Sequence, residues 1–250
     1  DTQAPLLDSA YWPDVLLSVN AMQGTKWRIN KTILETVKEV WERGLEIGMP
    51  RSQPYEIPEA PVPDGKKAGD LVGPEKERFN NWKAEARTLH GLEGERKAAL
   101  MSVVRAMRLA ARLDPIDIMW MVYQLDFRGR TYSTTSGVSP QGSDVSKALL
   151  EFGEGHKLGE RGLYWFKVHG ANKYGYDKEH YDERVRWVED RADQIIAAGT
   201  DPLAFTGVWK DADKPYQFLA WCIEYANAHR VEGGPCRYVS RLPIALDGSC

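Results

Sequence analysis

The sequence has few cysteines and lacks a long apolar run. Its three cysteines, Cys222, Cys236 and Cys250, are an odd number without a Cys-x-x-Cys pair or a His at zinc-ligand spacing. This pattern favours a reducing compartment, and a chain of 250 residues can build a core without a disulfide scaffold. No stretch approaches the roughly 18 consecutive apolar residues of a membrane span. No membrane partner is therefore expected.

The amino terminus lacks the basic and apolar regions of a secretory signal and lacks an initiating Met. We therefore expect an internal or processed start and a cytoplasmic location.

Neither sign of charge dominates the chain, which has 33 Lys and Arg against 36 Asp and Glu. With 42% hydrophobic and 28% charged residues, the composition is that of a globular protein and excludes disordered or fibrous classes. The charge is nevertheless uneven, because residues 66–112 carry 11 basic and 6 acidic side chains. Such a segment can bind a polyanion, or its Lys and Arg can simply solvate an outer face; the pattern alone favours the second interpretation.

Apolar periodicity predicts a helix over 32–47 and helical structure within the basic segment 66–112, where Pro74 is placed for a first helical turn. Gly91 and Gly94 predict a kinked helix or a helical hairpin in the second segment, ending near Arg112 before Pro115. Between them, the Pro- and Gly-rich residues 49–73 predict a loop.

Downstream, the pattern predicts a strand or extended segment over 118–125 and a strand over 242–246. It predicts helices over 163–171, 184–198 and 215–228. We expect Asp213 to cap the last of these helices. The predicted fold class is α+β and mostly helical.

Two short motifs contain side chains suited to phosphate or metal chemistry. In the first, Arg128 and Arg130 flank Gly129 after an extended segment, so their guanidinium groups could grip phosphate. An equally good interpretation is a tight turn in which an Arg pairs with Asp126. In the second, Asp247 precedes Gly248 at a strand end, where it could hold Mg²⁺ or simply form a turn. For His169, a packed histidine at a helix end is favoured over a catalytic role.

Four runs of residues carry a resemblance to a known family. Their order and approximate spacing resemble the single-subunit, phage-type DNA-directed RNA polymerases, from about Trp27 to Cys250. The runs are 126–132 (DFRGRTY), 139–147 (SPQGSDVSK), 164–172 (YWFKVHGAN) and 247–250 (DGSC). The resemblance implies a right-hand polymerase architecture. Residues 1–30 would end the amino-terminal region, 31–115 would form a helical thumb, and 116–250 would form the first part of the palm, before the fingers.

The resemblance also implies the roles of individual residues. Asp247 would be the first metal-binding aspartate, with the Gly248 carbonyl beside it, and the cofactor would be Mg²⁺. The partners would be a DNA template, an RNA transcript and NTPs. The expected nucleic-acid contacts are Arg128, Gly129, Arg130, Tyr132 and Lys147, and the expected triphosphate contacts are Asp177 and Lys178.

A second palm aspartate and the fingers Lys and Tyr of the family have no counterpart in these 250 residues. A two-metal mechanism needs both carboxylates. We therefore expect this segment alone to make no RNA, with the missing fingers and palm supplied by the same or a second chain.

Two other functional classes fit parts of the sequence. One is a non-catalytic nucleic-acid-binding module that uses residues 66–112 with Arg128 and Arg130. The other is a carbohydrate-active enzyme that uses Glu151 and Glu154. The second is disfavoured, because the aromatic residues that would line a sugar cleft fall on helical stripes typical of core packing.

Overall fold

The computed structural model describes residues 13–244, which form an α+β structure in which helices predominate, as predicted. The helices are α1 (Pro13–Gln23), α2 (Lys31–Glu42), α3 (Gly73–Leu113), α4 (Asp144–Ala148), α5 (Gly159–Tyr174), α6 (Tyr181–Glu189), α7 (Ala192–Thr200), α8 (Thr206–Trp209) and α9 (Pro215–His229). The strands are β1 (Lys26–Ile29), β2 (Met119–Trp120), β3 (Tyr123–Leu125), β4 (Thr131–Ser133), β5 (Leu150–Phe152), β6 (His156–Lys157) and β7 (Val239–Ser240). Within 13–244, no helix has the length and apolar character needed to cross a membrane.

Strand β1 is the centre of a three-stranded antiparallel sheet, with β2 on one side and β5 on the other. Trp27 and Ile29 alternate with exposed or half-buried neighbours, so one face of the strand enters the core. The chain then turns directly into α2, because the Asn30 side chain accepts a hydrogen bond from the Ile33 amide at 3.1 Å. The other two sheets are the pairs β3–β4 and β6–β7.

Helix α2 confirms the prediction for 32–47 but ends at Glu42. Its apolar stripe, including Ile33, Val37 and Val40, is buried in the core. Gly44 adopts a φ of 64°, a left-handed conformation that ends helices and that glycine adopts without steric cost.

Helix α3 is a single helix of 41 residues, where a kink or hairpin was predicted at Gly91 and Gly94. Its ends are where the sequence indicates, with Pro74 in the first turn and the last residue, Leu113, two positions before Pro115. Each glycine costs a helix about 1 kcal/mol relative to Ala. That cost is too small to break a helix supported along its length.

The predicted loop 49–73 is irregular apart from a short 3₁₀ turn at Ala68–Asp70, and it lies along α3. The Trp82 indole donates a hydrogen bond to the Pro58 carbonyl at 2.7 Å. Glu93 accepts from the Tyr55 amide at 3.1 Å, and Arg96 donates to the Ser52 carbonyl at 3.0 Å. These contacts bracket the two glycines, which explains how α3 continues through them.

Helix α9 is the centre of the carboxyl-terminal core, with 11 of its 15 residues buried. Two neighbouring helices approach it at glycines. A Cβ at Gly199 of α7 would lie 2.1 Å from the Cys222 carbonyl oxygen, and one at Gly170 of α5 would lie 2.2 Å from the Trp221 ring. The Trp221 indole donates to the Phe166 carbonyl at 2.8 Å, which fastens α9 to α5.

The single helix predicted over 184–198 is wrong, since α6 and α7 are separate helices. Arg191, between them, has φ −115° and ψ 11°, outside the helical region. The two halves have different neighbours: α6 packs on α5, whereas α7 packs on α9.

Both strand predictions need correction. Residues 118–125 contain two short strands in different sheets, with Met119–Trp120 paired to β1 and Tyr123–Leu125 paired to β4. Residues 242–244 are outside any strand, while 245 and 246 are outside the described residues. Pro243 lacks an amide N–H to donate to a neighbouring strand, which disfavours a regular ladder there.

Candidate functional site

The Arg-Gly-Arg motif forms the turn of the β3–β4 hairpin. Gly129 has a φ of 76°, and its amide donates to the Asp126 carbonyl at 3.0 Å. One carboxylate oxygen of Asp126 accepts from the amides of Arg128 and Arg130, both at 2.9 Å. Burial acts to raise the pKa of Asp126, but these hydrogen bonds and the Arg128 guanidinium outweigh it and lower the pKa. The carboxylate therefore shapes the turn.

The two arginines of the turn have different surroundings. Arg128 forms an ion pair with Asp126, with 2.8 Å between Nη2 and Oδ2, and its Nη2 lies 3.3 Å from the Tyr132 hydroxyl. The tight turn with an Arg paired to Asp126, which the sequence left open, is thus present. Arg130 is exposed and forms no ion pair within residues 13–244. Its guanidinium is the one in this turn that remains available to a ligand.

Gln141 connects the hairpin to the loop that precedes α4. Its side chain accepts from the Ser133 amide at 2.7 Å and donates to the Thr131 carbonyl at 2.8 Å. The Ser146 hydroxyl, buried in α4, accepts from the Ser139 amide at 2.9 Å and donates to the Gly137 carbonyl at 2.6 Å. The hairpin and α4, which carries Lys147, are therefore held in one hydrogen-bonded unit.

Asp144 connects α4 to α9. Its carboxylate accepts from the amides of Tyr216 and Gln217 at 2.8 and 3.2 Å, so it satisfies the free amides of the first turn of α9. The prediction that Asp213 caps this helix is wrong, because the N-cap residue is Lys214 without a side-chain cap. Gln217 in turn accepts from Lys173 of α5 at 2.9 Å.

A cavity of about 260 Å³ lies where these elements meet. Its polar lining includes Lys147, His169, Lys173 and Gln217, and residues 242–244 form part of its wall. Burial, and secondarily the charge of Lys173, lowers the pKa of His169 to about 3. Burial, followed by the charge of Lys147, lowers the pKa of Lys173. His169 is packed as predicted, although in the interior of α5.

Lys178 and Asp177 lie on the loop 175–180 between α5 and α6. Lys178 is exposed, and its Nζ lies 3.1 Å from Asp177 Oδ2. Arg184, in the first turns of α6, donates hydrogen bonds to the carbonyls of Asp177 and Glu179 at 2.7 and 2.8 Å. Sequence reasoning missed Arg184, because its position on a helical pattern carries no sign of contacts back to the loop.

Comparison with known proteins shows which proteins this chain is similar to. Residues 156–250 match the family model described as DNA-dependent RNA polymerase. The chain is 34% identical to the DNA-directed RNA polymerase of Enterobacteria phage T3, over 97% of this chain and 26% of that protein. It is 32% identical to T7 RNA polymerase of Escherichia phage T7, with the same coverage. It is 36% identical to the human mitochondrial DNA-directed RNA polymerase, over 90% of this chain and 18% of that protein.

This chain is a relative of the phage-type RNA polymerases. It spans about a quarter of the length of the phage relatives. Within the described residues, hydrogen bonds join the hairpin to α4, α4 to α9, and α9 to α5. Helix α5 then leads into the loop that carries Lys178. The nucleic-acid and nucleotide residues suggested by the sequence are thus carried by connected elements.

The metal-binding residues suggested by the sequence, Asp247 and Gly248, lie outside the described residues. Within 13–244, no group of three or more His, Cys, Asp or Glu side chains is arranged to hold a metal ion. Glu151 and Glu154, suggested for a sugar site, instead pair with Arg28 and Lys26 of β1. These ion pairs give both carboxylates a structural explanation.

Proposed function

We propose that this chain is part of a DNA-directed RNA polymerase and provides its contacts to template, transcript and triphosphate together with its first metal-binding aspartate. The observation that carries the proposal is the hydrogen-bonded series from the hairpin to α5, which lies in a chain matched over 97% of its length by a phage RNA polymerase. In this assignment Arg128, Gly129, Arg130, Tyr132 and Lys147 contact nucleic acid, and Asp177 and Lys178 lie near the triphosphate.

The proposed reaction is nucleotidyl transfer. The RNA 3′-oxygen loses its proton and bonds to the α-phosphorus of the NTP, while the bond from that phosphorus to the pyrophosphate oxygen breaks. Negative charge accumulates on the phosphate oxygens, and catalysis consists largely of positioning and stabilising it. Lys178, which is 86% exposed at its side chain, can reach a bound triphosphate. The exposed Arg130 can pair with a backbone phosphate.

Asp247 and Gly248 are the proposed metal ligands. Carboxylate and carbonyl oxygens are the donors that Mg²⁺ prefers, so these residue types suit the ion. Bound Mg²⁺ would neutralise phosphate charge and favour ionisation of the 3′-hydroxyl. Segment 238–244, which precedes this aspartate in the sequence, is held on α9 by a half-buried hydrogen bond that the Ser240 hydroxyl donates to Glu224 at 2.6 Å.

We further propose that residues 31–115 form the thumb and 116–250 the first part of the palm. The long helix α3, in the segment with excess positive charge, suits sequence-independent contact with a nucleic-acid backbone. Because the chain covers 26% of its phage relatives, the fingers and the remaining palm belong to the same or a second polypeptide. The cytoplasmic location stays a prediction, since one of the relatives named above is a mitochondrial enzyme.

Asp247→Asn in the complete polymerase tests this function. The substitution removes one ligand charge and leaves the hairpin and α3 unchanged. We expect template-dependent NTP incorporation to fall by at least about 10³-fold, while affinity for a template–transcript hybrid stays within about twofold. Asp211→Asn, at an exposed position before α9, is the matched control and should incorporate normally.

Near-normal incorporation by Asp247→Asn would refute the metal assignment. Hybrid binding without any metal-dependent incorporation by the unmodified polymerase would favour the non-catalytic binding module.

A further inference from the structure

The loop that carries Lys178 is short and begins with a sharp change of direction. Gly175 ends α5 in a left-handed conformation with a φ of 107°, and its amide donates to the Ala171 and Asn172 carbonyls, both at 3.2 Å. Beyond it, the Lys178 side chain extends into solvent, with Asp177 as its ion-pair partner. A cation on such a loop binds an anion more tightly when the backbone beneath it is already held in one conformation, because less ordering is then needed on binding.

Arg184, on the following helix α6, holds the backbone of this loop. Its Nη2 donates to the Asp177 carbonyl at 2.7 Å and its Nε to the Glu179 carbonyl at 2.8 Å. Its Nη1 donates to the Asn172 side-chain oxygen at 2.7 Å. The two carbonyls belong to the residues immediately before and after Lys178, and Asn172 lies on α5. One guanidinium therefore ties both sides of Lys178 to the helix that precedes the loop.

The position of Arg184 is itself fixed. Its guanidinium carbon lies 4.9 Å from the centre of the Tyr181 ring, an arrangement favourable for a cation on an aromatic face. The planar, forked donor set of Arg suits simultaneous contacts with several acceptors, whereas a Lys ammonium is a single compact charge. The contacts that Arg184 makes thus depend on the shape of its side chain as well as on its charge.

We propose that Arg184 is a positioning residue that holds Lys178 in the orientation needed to bind the triphosphate of the incoming nucleotide. The inference rests on the proposed function, because it gives Lys178 the triphosphate as its ligand. Holding the loop before binding removes the ordering cost that a flexible loop would impose on each nucleotide. Removing Arg184 should therefore weaken nucleotide binding without changing the chemistry at the 3′-hydroxyl.

The experiment measures kcat and the KM for NTP in the complete polymerase carrying Arg184→Ala, Lys178→Ala or both. We expect each single substitution to raise the KM for NTP by roughly tenfold with kcat within about twofold. The double variant should be no worse than the more impaired single variant, since both changes remove the same interaction. Arg184→Lys should recover only part of the loss, and Arg186→Ala, an exposed residue of the same helix, should leave the KM unchanged.

The outcomes separate this inference from the function on which it rests. If Lys178→Ala raises the KM but Arg184→Ala does not, or if the two effects multiply in the double variant, the positioning role is wrong and the triphosphate contact stands. If Lys178→Ala leaves the KM unchanged, the triphosphate contact itself is wrong, and the inference falls with it. Should Arg184→Ala fail to fold, Asn172→Ala removes one of the three contacts. It should raise the KM less than Lys178→Ala does, and an unchanged KM there would also overturn the positioning role.

Discussion

Burial changes the acid–base chemistry of His169. Its side chain lines the cavity between α4, α5 and α9, and its pKa falls from the ordinary 6.5 to about 3, chiefly through burial. In the unfolded chain the same imidazole binds a proton below about pH 6.5. Between pH 6.5 and about 3, the unfolded state therefore binds more protons than the folded state, and stability falls as pH falls.

His169→Gln should remove this pH dependence. We expect the free energy of unfolding of the unsubstituted chain to drop, relative to the variant, by up to about 1.4 kcal/mol per pH unit as pH falls below 6.5. Urea titrations at pH 7, 6 and 5 measure the difference, with His156→Gln, at an exposed position, as the control. A difference that stays constant over this pH range would contradict the buried, neutral state of His169.

A second group of buried residues holds the segment 238–244 in place. Burial raises the pKa of Glu224 despite its hydrogen bond from Ser240. Burial also raises the pKa of Glu151, against the effect of its ion pair with Arg28. Between them, the Arg241 carbonyl accepts from the Phe152 amide at 2.9 Å. These contacts fasten residues 240 and 241 to both α9 and β5.

At the scale of elements, the close approach of α7 to α9 depends on the absence of a side chain at Gly199. A Cβ there would lie 2.1 Å from the Cys222 carbonyl oxygen and 2.9 Å from the Ala226 Cβ. The first of these atoms is backbone and cannot rotate away. An added methyl group would therefore push the two helices apart.

Gly199→Ala should destabilise the chain by about 2 kcal/mol or more, because the core between α7 and α9 would have to separate. Gly207→Ala in α8 is the matched control: no atom lies within 4 Å of its added Cβ, and Ala favours a helix. Its unfolding free energy should stay the same or rise slightly. Equal effects of the two substitutions in urea unfolding would show that the α7–α9 contact is looser than described.

Some of the helices could be predicted from the sequence, and others could not. Helices α2, α3, α5 and α9 follow from apolar periodicity, because each buries one face or more against the core. The break between α6 and α7 could not be predicted, since it results from packing on two different helices. The first amides of α9 bind the carboxylate of Asp144, which is 72 positions from Tyr216 in the sequence. The residues next to the helix carry no sign of this contact, and they instead suggested Asp213 as the cap.

The candidate site also contains features that the sequence predicts and features that it does not. The motif around Arg128 and Arg130 indicated a turn with a possible phosphate contact, and its hairpin geometry agrees with the turn. The role of Arg184 depends on three acceptors brought together by folding. Its sequence position, within the first two turns of a helix, carries no such information.

For the whole molecule, the distribution of charge matters more than its sum. The net charge is −3, yet residues 66–112 carry 11 basic side chains against 6 acidic ones. Within the described residues, three of these cations, Lys66, Arg96 and Lys97, pair with glutamates. Arg105 and Arg108, near the carboxyl end of α3, line a groove of about 340 Å³ with Ser136 and form no ion pair within residues 13–244. This groove, with two cations that have no ion-pair partner among the described residues, is therefore a candidate for nucleic-acid contact.

We predict that the purified 250-residue chain binds an RNA–DNA hybrid but does not extend it. Affinity should fall steeply with salt, and Arg105→Gln with Arg108→Gln should lower the slope of log K against log[salt] by about 2, roughly one for each phosphate that no longer has a cationic partner. Arg186→Gln, on exposed α6, should leave the slope unchanged. Filter binding from 50 to 300 mM salt, with labelled-NTP incorporation in the same samples, tests both parts. An unchanged slope would remove the carboxyl end of α3 from the nucleic-acid surface. Template-dependent incorporation by this chain would mean that residues within it complete the catalytic site that we assign to the whole polymerase.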